Sequence, residues 1–166
     1  MAVSIAGVTA AQALTYYERR DEGYYHTEGN GEIIGKGAEA LNISGQVETT
    51  VFGRLLLGQN SLGEQIIKLA PNGEHRAALD LTFSVPKSLS LLGISDERFF
   101  LAQKRAVNIT VRYAEKHFSQ ARETHDGVTE KTDTGNLVVV LFHHSLSRAL
   151  DPQIHTHAIV MNMTQG

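Results

Sequence analysis

Four of the eight histidines in this 166-residue chain fall within one short stretch, FHHSLSRALDPQIHTHAIVMNM. On a strand, side chains alternate between faces, so His155 and His157 share a face about 7 Å apart. If the two strands of this stretch pair antiparallel, only one of His143 and His144 can join them. Three neutral imidazoles without a fourth protein ligand form the open site of a catalytic metal, whose full charge remains available to an anion such as phosphate.

The alternative for this stretch is a polar surface hairpin that happens to be rich in histidine. A lone His-x-His pair on a strand is more often structural than metal-bound. The third histidine at strand distance favours metal binding over that structural interpretation.

Tyrosine is also unevenly distributed, since four of the five tyrosines lie in TYYERRDEGYY. Adjacent helical residues point about 100° apart, so Tyr16 and Tyr17 cannot share a role, whereas Tyr24 lies two turns beyond Tyr16. A phenol is a poor nucleophile until a cation or base favours the phenolate. A tris-histidine metal that polarises a phosphodiester would supply that cation. Otherwise these rings are packing residues.

The composition, with 42% hydrophobic and 20% charged residues, is that of a globular protein of about one domain. Cysteine is absent, which excludes disulfides and thiolate chemistry. The start, MAVSIAGVTA, shows no signal peptide, and no apolar run is long enough to cross a bilayer, so we expect a cytoplasmic protein without membrane contact. The net charge of −3 gives no global attraction for nucleic acid.

The elements that must position these residues alternate between strands and helices. We predict a strand over Val3–Val8, a helix after an N-cap at Thr9, and a short helix at VFGRLLLG. GNGEIIGKGAEALNISG is glycine-rich and predicted to be irregular, with one helical turn. In HRAALDLTFSVP, alternation predicts a strand with Asp80, Thr82 and Ser84 on one face.

The C-terminal half predicts one long helix and the two clearest strands. After a short helix at KSLSLL, helical spacing runs from Asp96 to about Arg122, with Ser95 as the cap. NLVVVLFHH and IHTHAIVMNM are strands rich in β-branched residues. Together these elements predict an α+β fold in two layers.

Four motifs then identify a family resemblance. YYERRDEGYY, GKGAEALNISGQV, LDLTFSVPKSLSL and TGNLVVVLFHHSLSRALDPQIHTHAIVMNMT occur in this order, and together they resemble the relaxase domain of MobF-class conjugative plasmids, the TrwC/TraI-type relaxases of the HUH endonuclease superfamily. The resemblance implies a two-layer sandwich with a central antiparallel β-sheet and helices packed on it. It also implies metal-dependent nicking of one DNA strand at an origin of transfer, through a 5′-phosphotyrosine and without a nucleotide cofactor.

The resemblance assigns roles to the tyrosines. Tyr16 matches the first catalytic tyrosine of the family, and Tyr24 matches the second, which is linked to the strand transfer that ends a round of conjugation. Tyr17 and Tyr25 match their less essential partners.

It also assigns a metal site and its neighbours. The implied metal ligands are His144, His155 and His157. Asp80 matches an acidic residue that orients a ligand histidine and helps activate the tyrosine, which is the outer-shell role expected of a carboxylate. Arg148 and Lys87 lie in matching motifs and are candidates for phosphate contacts. Imidazole ligands do not fix the metal, and we expect one divalent ion, Mg or Mn in cells and Zn or Ni in crystals.

Family relaxase domains continue past the position of Gly166, and many carry a helicase. The resemblance therefore implies that residues 1–166 are a relaxase catalytic domain, incomplete at its C-terminus and without a helicase domain. The implied partners are single-stranded DNA at an origin of transfer and other relaxosome proteins, and an exposed sheet edge would favour a homodimer.

Two further functions stay open at this point. The chain could be a truncated relaxase-like module that holds DNA or a protein without cleavage. It could also be a tris-histidine hydrolase that activates water, with the tyrosines as packing residues.

Overall fold

A computed structural model describes residues 1–12, 31–69, 75–147 and 149–165. Among these residues the helices are short except for the one over Arg98–Phe118, and none of them is long and apolar enough to span a membrane. In chain order the elements are β1 (Ala2–Val8), β2 (Glu32–Ile34), α1 (Lys36–Ala40), β3 (Gly45–Gln46), α2 (Thr49–Leu56), β4 (Ala78–Ser84), α3 (Lys87–Leu92), α4 (Arg98–Phe118), β5 (Gln120–His125), β6 (Val128–Asp133), β7 (Val139–Leu146) and β8 (Pro152–Met161).

Six of the strands form one sheet in the order β1-β4-β8-β7-β2-β3, and every neighbouring pair is antiparallel. β7 and β8 lie in its centre and are the apolar, β-branched segments that sequence alone marks as strands. The predicted α+β sandwich on an antiparallel sheet is confirmed.

Each face of the sheet packs on helices. On the rear face, Val107 and Val111 of α4 pack against β7, β8 and β4. On the front face, Phe52 and Leu55 of α2 and Ala38 of α1 join a core with alternate residues of β7 and β8. Because side chains alternate along a strand, one residue step in β7 or β8 moves a side chain from one core to the other.

The predicted N-cap at Thr9 is confirmed. Thr9 Oγ1 accepts a hydrogen bond from the backbone N–H of Gln12 (3.2 Å), and Gln12 Oε1 accepts one from the backbone N–H of Thr9 (3.1 Å). This reciprocal pair is a capping box, which begins a helix at Ala10. Ala10 packs against the front-face core, so the helix starts on that face.

The long helix is shorter than predicted at both ends. It ends at Phe118, whose side chain is 71% exposed, and residues up to Arg122 belong instead to the β5–β6 hairpin. Asp126 (φ 50°) and Gly127 (φ 80°) form its turn, a geometry that Asp-Gly adopts readily. Ser95 is not the cap, because the Asp96 carboxylate accepts the hydrogen bond from the Arg98 N–H (3.0 Å).

The glycine-rich segment predicted to be irregular contributes two edge-proximal strands, β2 and β3, on either side of α1. A buried carboxylate holds this region, because Glu115 Oε1 accepts hydrogen bonds from the N–H groups of Lys36 (2.7 Å) and Leu137 (2.9 Å). These contacts join residues far apart in sequence, and local pattern does not encode them.

Candidate metal centre

Three histidines meet on the front face, at the centre of the sheet. His144 of β7 lies directly opposite His155 of β8, and their rings stack with centroids 5.0 Å apart. The His157 ring is 5.2 Å from that of His155 and 5.7 Å from that of His144, edge-on to both. Each ring offers one nitrogen, and these three atoms lie within 4.8 Å of one another. The antiparallel register expected from the sequence thus brings together the three predicted ligands.

Hydrogen bonds fix two of the rings through Nδ1. His157 Nδ1 donates to the Asp80 carboxylate, at 2.9 Å from Oδ2 and 3.1 Å from Oδ1. His155 Nδ1 donates to the backbone carbonyl of Gln153 (2.9 Å). In both rings Nε2 is the nitrogen left to bind an ion, which is the usual arrangement of metal-ligating histidines.

The electrostatics of the site favour neutral imidazoles. Burial, and then the neighbouring rings of His155 and His157, lower the pKa of His144 from 6.5 to about 3. Burial likewise lowers the pKa of His155. Only a neutral imidazole has a lone pair for a cation. The donor set and its orientation therefore fit a divalent ion, with the Asp80 carboxylate holding the Nδ1 side of His157.

His143 takes no part in this cluster. Side chains alternate along a strand, so its ring points to the face opposite that of His144. Its ring lies on the rear face, edge-on to Phe100 at 6.3 Å, with Nδ1 at 2.8 Å from Thr156 Oγ1. Burial and the charge of Lys104 lower its pKa to about 4.

Thr82 is a site residue to which the sequence assigned no role. Its hydroxyl donates to Asp80 Oδ1 (3.2 Å) and lies 3.1 Å from His157 Nδ1, directly opposite His157 in the register. The alternation along the strand places Thr82 on the same face as Asp80, and this much is evident in the sequence. The register that sets Thr82 beside His157 depends on a strand far away in the sequence.

The remaining predicted site residues are placed as follows. Lys87 is exposed at the first residue of α3, three residues beyond Ser84, which pairs with His155. The other predicted residues, which lie outside the described part of the chain, are Tyr16, Tyr17, Tyr24, Tyr25 and Arg148.

Comparison with known proteins gives matches along most of the chain. The family model described as TrwC relaxase matches residues 10–166. The multifunctional conjugation protein TraI of Escherichia coli strain K12 is 42% identical over 98% of this chain and 10% of its own length. A second Escherichia coli TraI is 41% identical over 95% of this chain and 9% of its own length. The chain thus spans about a tenth of these relatives.

Solved structures give the same result. The conjugative relaxase TrwC in complex with oriT DNA, in a metal-bound form, superposes with a TM-score of 0.84 and 39% identity, over 99% of this chain and 58% of that one. A copper-bound complex of TrwC with oriT DNA has a TM-score of 0.83 and 40% identity, with the same coverage. TrwC with a 27-mer DNA comprising the recognition hairpin and the cleavage site has a TM-score of 0.82 and 37% identity, over 99% of this chain and 57% of that one.

Proposed function

Because this chain belongs to the TrwC relaxase family, we propose that it carries the catalytic centre of a conjugative relaxase. In this proposal it nicks one strand of plasmid DNA at an origin of transfer and remains joined to the new 5′ end through a phosphotyrosine. The observation that carries the proposal is the convergence of His144, His155 and His157 beside Asp80. This donor set leaves room for a phosphate oxygen on a bound ion.

A divalent ion in this site, Mg or Mn in cells, would supply positive charge for the scissile phosphate. The chain's own residues hold the site in shape. Asp80 accepts the Nδ1 proton of His157 and keeps that ring in one orientation, and Thr82 donates to the same carboxylate. Polar groups held in one arrangement by the fold itself in this way preorganise a site.

We propose Tyr16 as the nucleophile. Its hydroxyl gives up its proton to solvent and its oxygen forms a bond to phosphorus, the bond from phosphorus to the 3′ oxygen breaks, and the leaving 3′ oxygen takes up a proton to become a hydroxyl. The ester energy is retained in the tyrosyl linkage, so rejoining needs no nucleotide cofactor. Two features of the N-terminus support this role: Ala6 lies opposite Asp80 in the β1–β4 pair, and the helix that starts at Ala10 begins on the front face.

The remaining assignments follow the family motifs. Tyr24 would carry out the second strand transfer, with Tyr17 and Tyr25 in secondary roles, and Lys87 and Arg148 would contact phosphates. The substrate would be single-stranded or extruded DNA, whose bases can be splayed and stacked. The related TrwC structures contain oriT DNA, which supports this substrate class. Other relaxosome proteins would be further partners, and a second copy of the chain could pair at the β1 edge of the sheet. The protein would act in the cytoplasm.

The test is covalent capture of DNA. A single-stranded oligonucleotide library labelled at its 3′ end is incubated with the chain and Mn²⁺, because the label then travels with the 5′-phosphate that joins the protein. We expect a labelled adduct with the wild-type chain and none with Tyr16→Phe. Tyr113→Phe is the matched control, because Tyr113 is a 59% exposed tyrosine on α4. The Tyr113→Phe variant should form the adduct as the wild-type chain does.

The other outcomes separate the alternatives. An adduct retained by Tyr16→Phe would remove Tyr16 from the nucleophile role. Cleavage undiminished in excess chelator would exclude the metal. DNA binding by the wild-type chain without any adduct would favour the binding module, and cleavage without a protein-linked product would favour the hydrolase.

A further inference from the structure

A connected set of buried polar side chains lies directly behind the candidate metal centre, on the rear face. Gln103 of α4 donates from Nε2 to the backbone carbonyl of Phe83 in β4 (3.1 Å). Thr156 of β8 donates from Oγ1 to Gln103 Oε1 (2.8 Å). His143 Nδ1 of β7 lies 2.8 Å from the same hydroxyl. Gln103 is 3% exposed and Thr156 is fully buried, so water does not compete for the two bonds that Gln103 makes.

The direction of every bond in this set follows from one group. The Phe83 carbonyl can only accept, so it must face the amide nitrogen of Gln103, and the amide oxygen must then face Thr156. Thr156 therefore donates to Gln103 and accepts from His143, whose proton is on Nδ1. Because the position of every proton in this hydrogen-bond series is specified, the series has a single arrangement. It therefore fixes the strands that it connects relative to one another.

The three strand residues of this set form one cross-strand row. Phe83 lies opposite Thr156, and Thr156 lies opposite His143. The ligands occupy the rows immediately on either side. In one row Ser84 lies opposite His155, which lies opposite His144. In the other row Thr82 lies opposite His157. The rear-face row is thus the spacer between the two ligand rows.

The regular pairing of β7 with β8 is interrupted directly after His144. The register of β7 and β8 shifts between His144 and Leu146, so the His144–His155 pair is the last regular pair before the irregularity. The hydrogen bond from His143 to Thr156 lies one residue inside that break and ties β7 to β8 there. Gln103 extends the tie to β4, which carries Asp80.

We propose that Gln103 is a positioning residue for the metal centre, which acts through Thr156 to set the spacing between the His144–His155 row and the His157 row. The inference rests on the proposed metal centre. This role differs from an ordinary stabilising role. An apolar residue of α4 in the same core should change the stability of the fold without changing metal binding by the three histidines.

The test compares two substitutions in the same buried stripe of α4. Gln103→Met keeps the side-chain length and removes both hydrogen bonds, whereas Val107→Ala removes packing and leaves the polar set intact. Each full chain is titrated with Co²⁺, whose visible absorption reports coordination geometry, and its urea unfolding midpoint is measured.

For Gln103→Met we expect a Co²⁺ Kd raised about threefold to tenfold, below the ~10–100-fold of a direct outer-shell partner, and a changed absorption band. Thr156→Val should show the same rise in Kd and the same change in absorption. Thr156→Ser, which keeps the hydroxyl, should have the wild-type Kd and spectrum. Val107→Ala should lower the urea midpoint with the wild-type Kd and spectrum.

Wild-type Co²⁺ affinity and spectrum in Gln103→Met would overturn the inference, as would an equal change in Val107→Ala. If Gln103→Met does not fold, the Thr156→Val and Thr156→Ser pair decides the same question. If the wild-type chain itself binds no Co²⁺, the metal centre fails, and that result is distinct from binding that is indifferent to Gln103.

Discussion

His143 and His144 are neighbours in β7, yet their rings lie on opposite faces of the sheet in different chemical surroundings. On the front face, the His144 ring stacks on His155 and joins a cluster of nitrogen ligands. On the rear face, the His143 ring is committed to a hydrogen bond with Thr156. Both rings are neutral because burial lowers both pKa values. Burial therefore makes a histidine available as a ligand, while its strand face decides whether it becomes one.

The largest expected effect separates these two residues directly. His144→Ala should weaken Co²⁺ binding more than about 100-fold, because it removes one of three ligands, while His143→Ala should weaken it less than about 10-fold. Isothermal titration of the two variants against the wild-type chain measures both values. Similar losses in the two variants would show that the faces are not distinct in function.

The next effect concerns the carboxylate behind the ligands. Asp80→Ala should weaken Co²⁺ binding about 10–100-fold, because His157 loses the acceptor that holds its Nδ1. Asp133→Ala is the matched control, since its carboxylate accepts from Gln120 on the hairpin, away from the site. Equal affinities of the two variants in the same titration would exclude Asp80 from the site.

Both faces should contribute to the pH dependence of stability in the metal-free chain. The pKa values of His143 (about 4) and His144 (about 3) are below the 6.5 of an ordinary imidazole, so the unfolded chain binds more protons between these limits. The free energy of unfolding should therefore be highest above pH 6.5 and fall as pH decreases towards 4. Urea midpoints with chelator at pH 7.5 and 5 measure the fall.

The double variant His143→Gln, His144→Gln sharpens that measurement. Glutamine does not titrate, so the fall in the urea midpoint between pH 7.5 and 5 should be smaller than in the wild-type chain. An unchanged fall would assign the pH dependence to other groups.

The smallest effect is expected at Thr82. Thr82→Val keeps the side-chain shape and removes the hydroxyl that donates to Asp80 and lies beside His157 Nδ1, so Co²⁺ affinity should fall about threefold, less than for a direct ligand partner. Thr110→Val, which removes a hydroxyl bonded to the Ala106 carbonyl on α4, should have no effect. A loss in Thr82→Val as large as that in Asp80→Ala would make the hydroxyl a principal partner of His157.

Local pattern was sufficient for the central strands and for placing His143 and His144 on opposite faces, whereas the choice of His144 as the third ligand came from the family resemblance. β-branched runs marked β7 and β8, and the two-residue period separated His143 from His144 before any register was known. It was also sufficient for the cap at Thr9, because a capping box is encoded within four residues. Features of this kind depend on residues close together in the sequence.

Local pattern failed where distant residues or a turn decided the outcome. Helical spacing continues past Phe118, but the Asp126–Gly127 turn favours a hairpin and ends the helix there. Gln103 and Glu115 are buried polar residues on the apolar stripe of α4, and their partners are on β4, β8 and the segments beside α1. Only the tertiary structure shows why these positions are not apolar.

The most direct test of the account is the location of a metal ion in a crystal of this chain. With Zn²⁺ added, anomalous diffraction should give a peak on the front face, about 2.1 Å from one nitrogen of each of His144, His155 and His157. A peak held by fewer than these three rings, a peak at His143 instead, or no peak at the cluster would contradict the proposed centre.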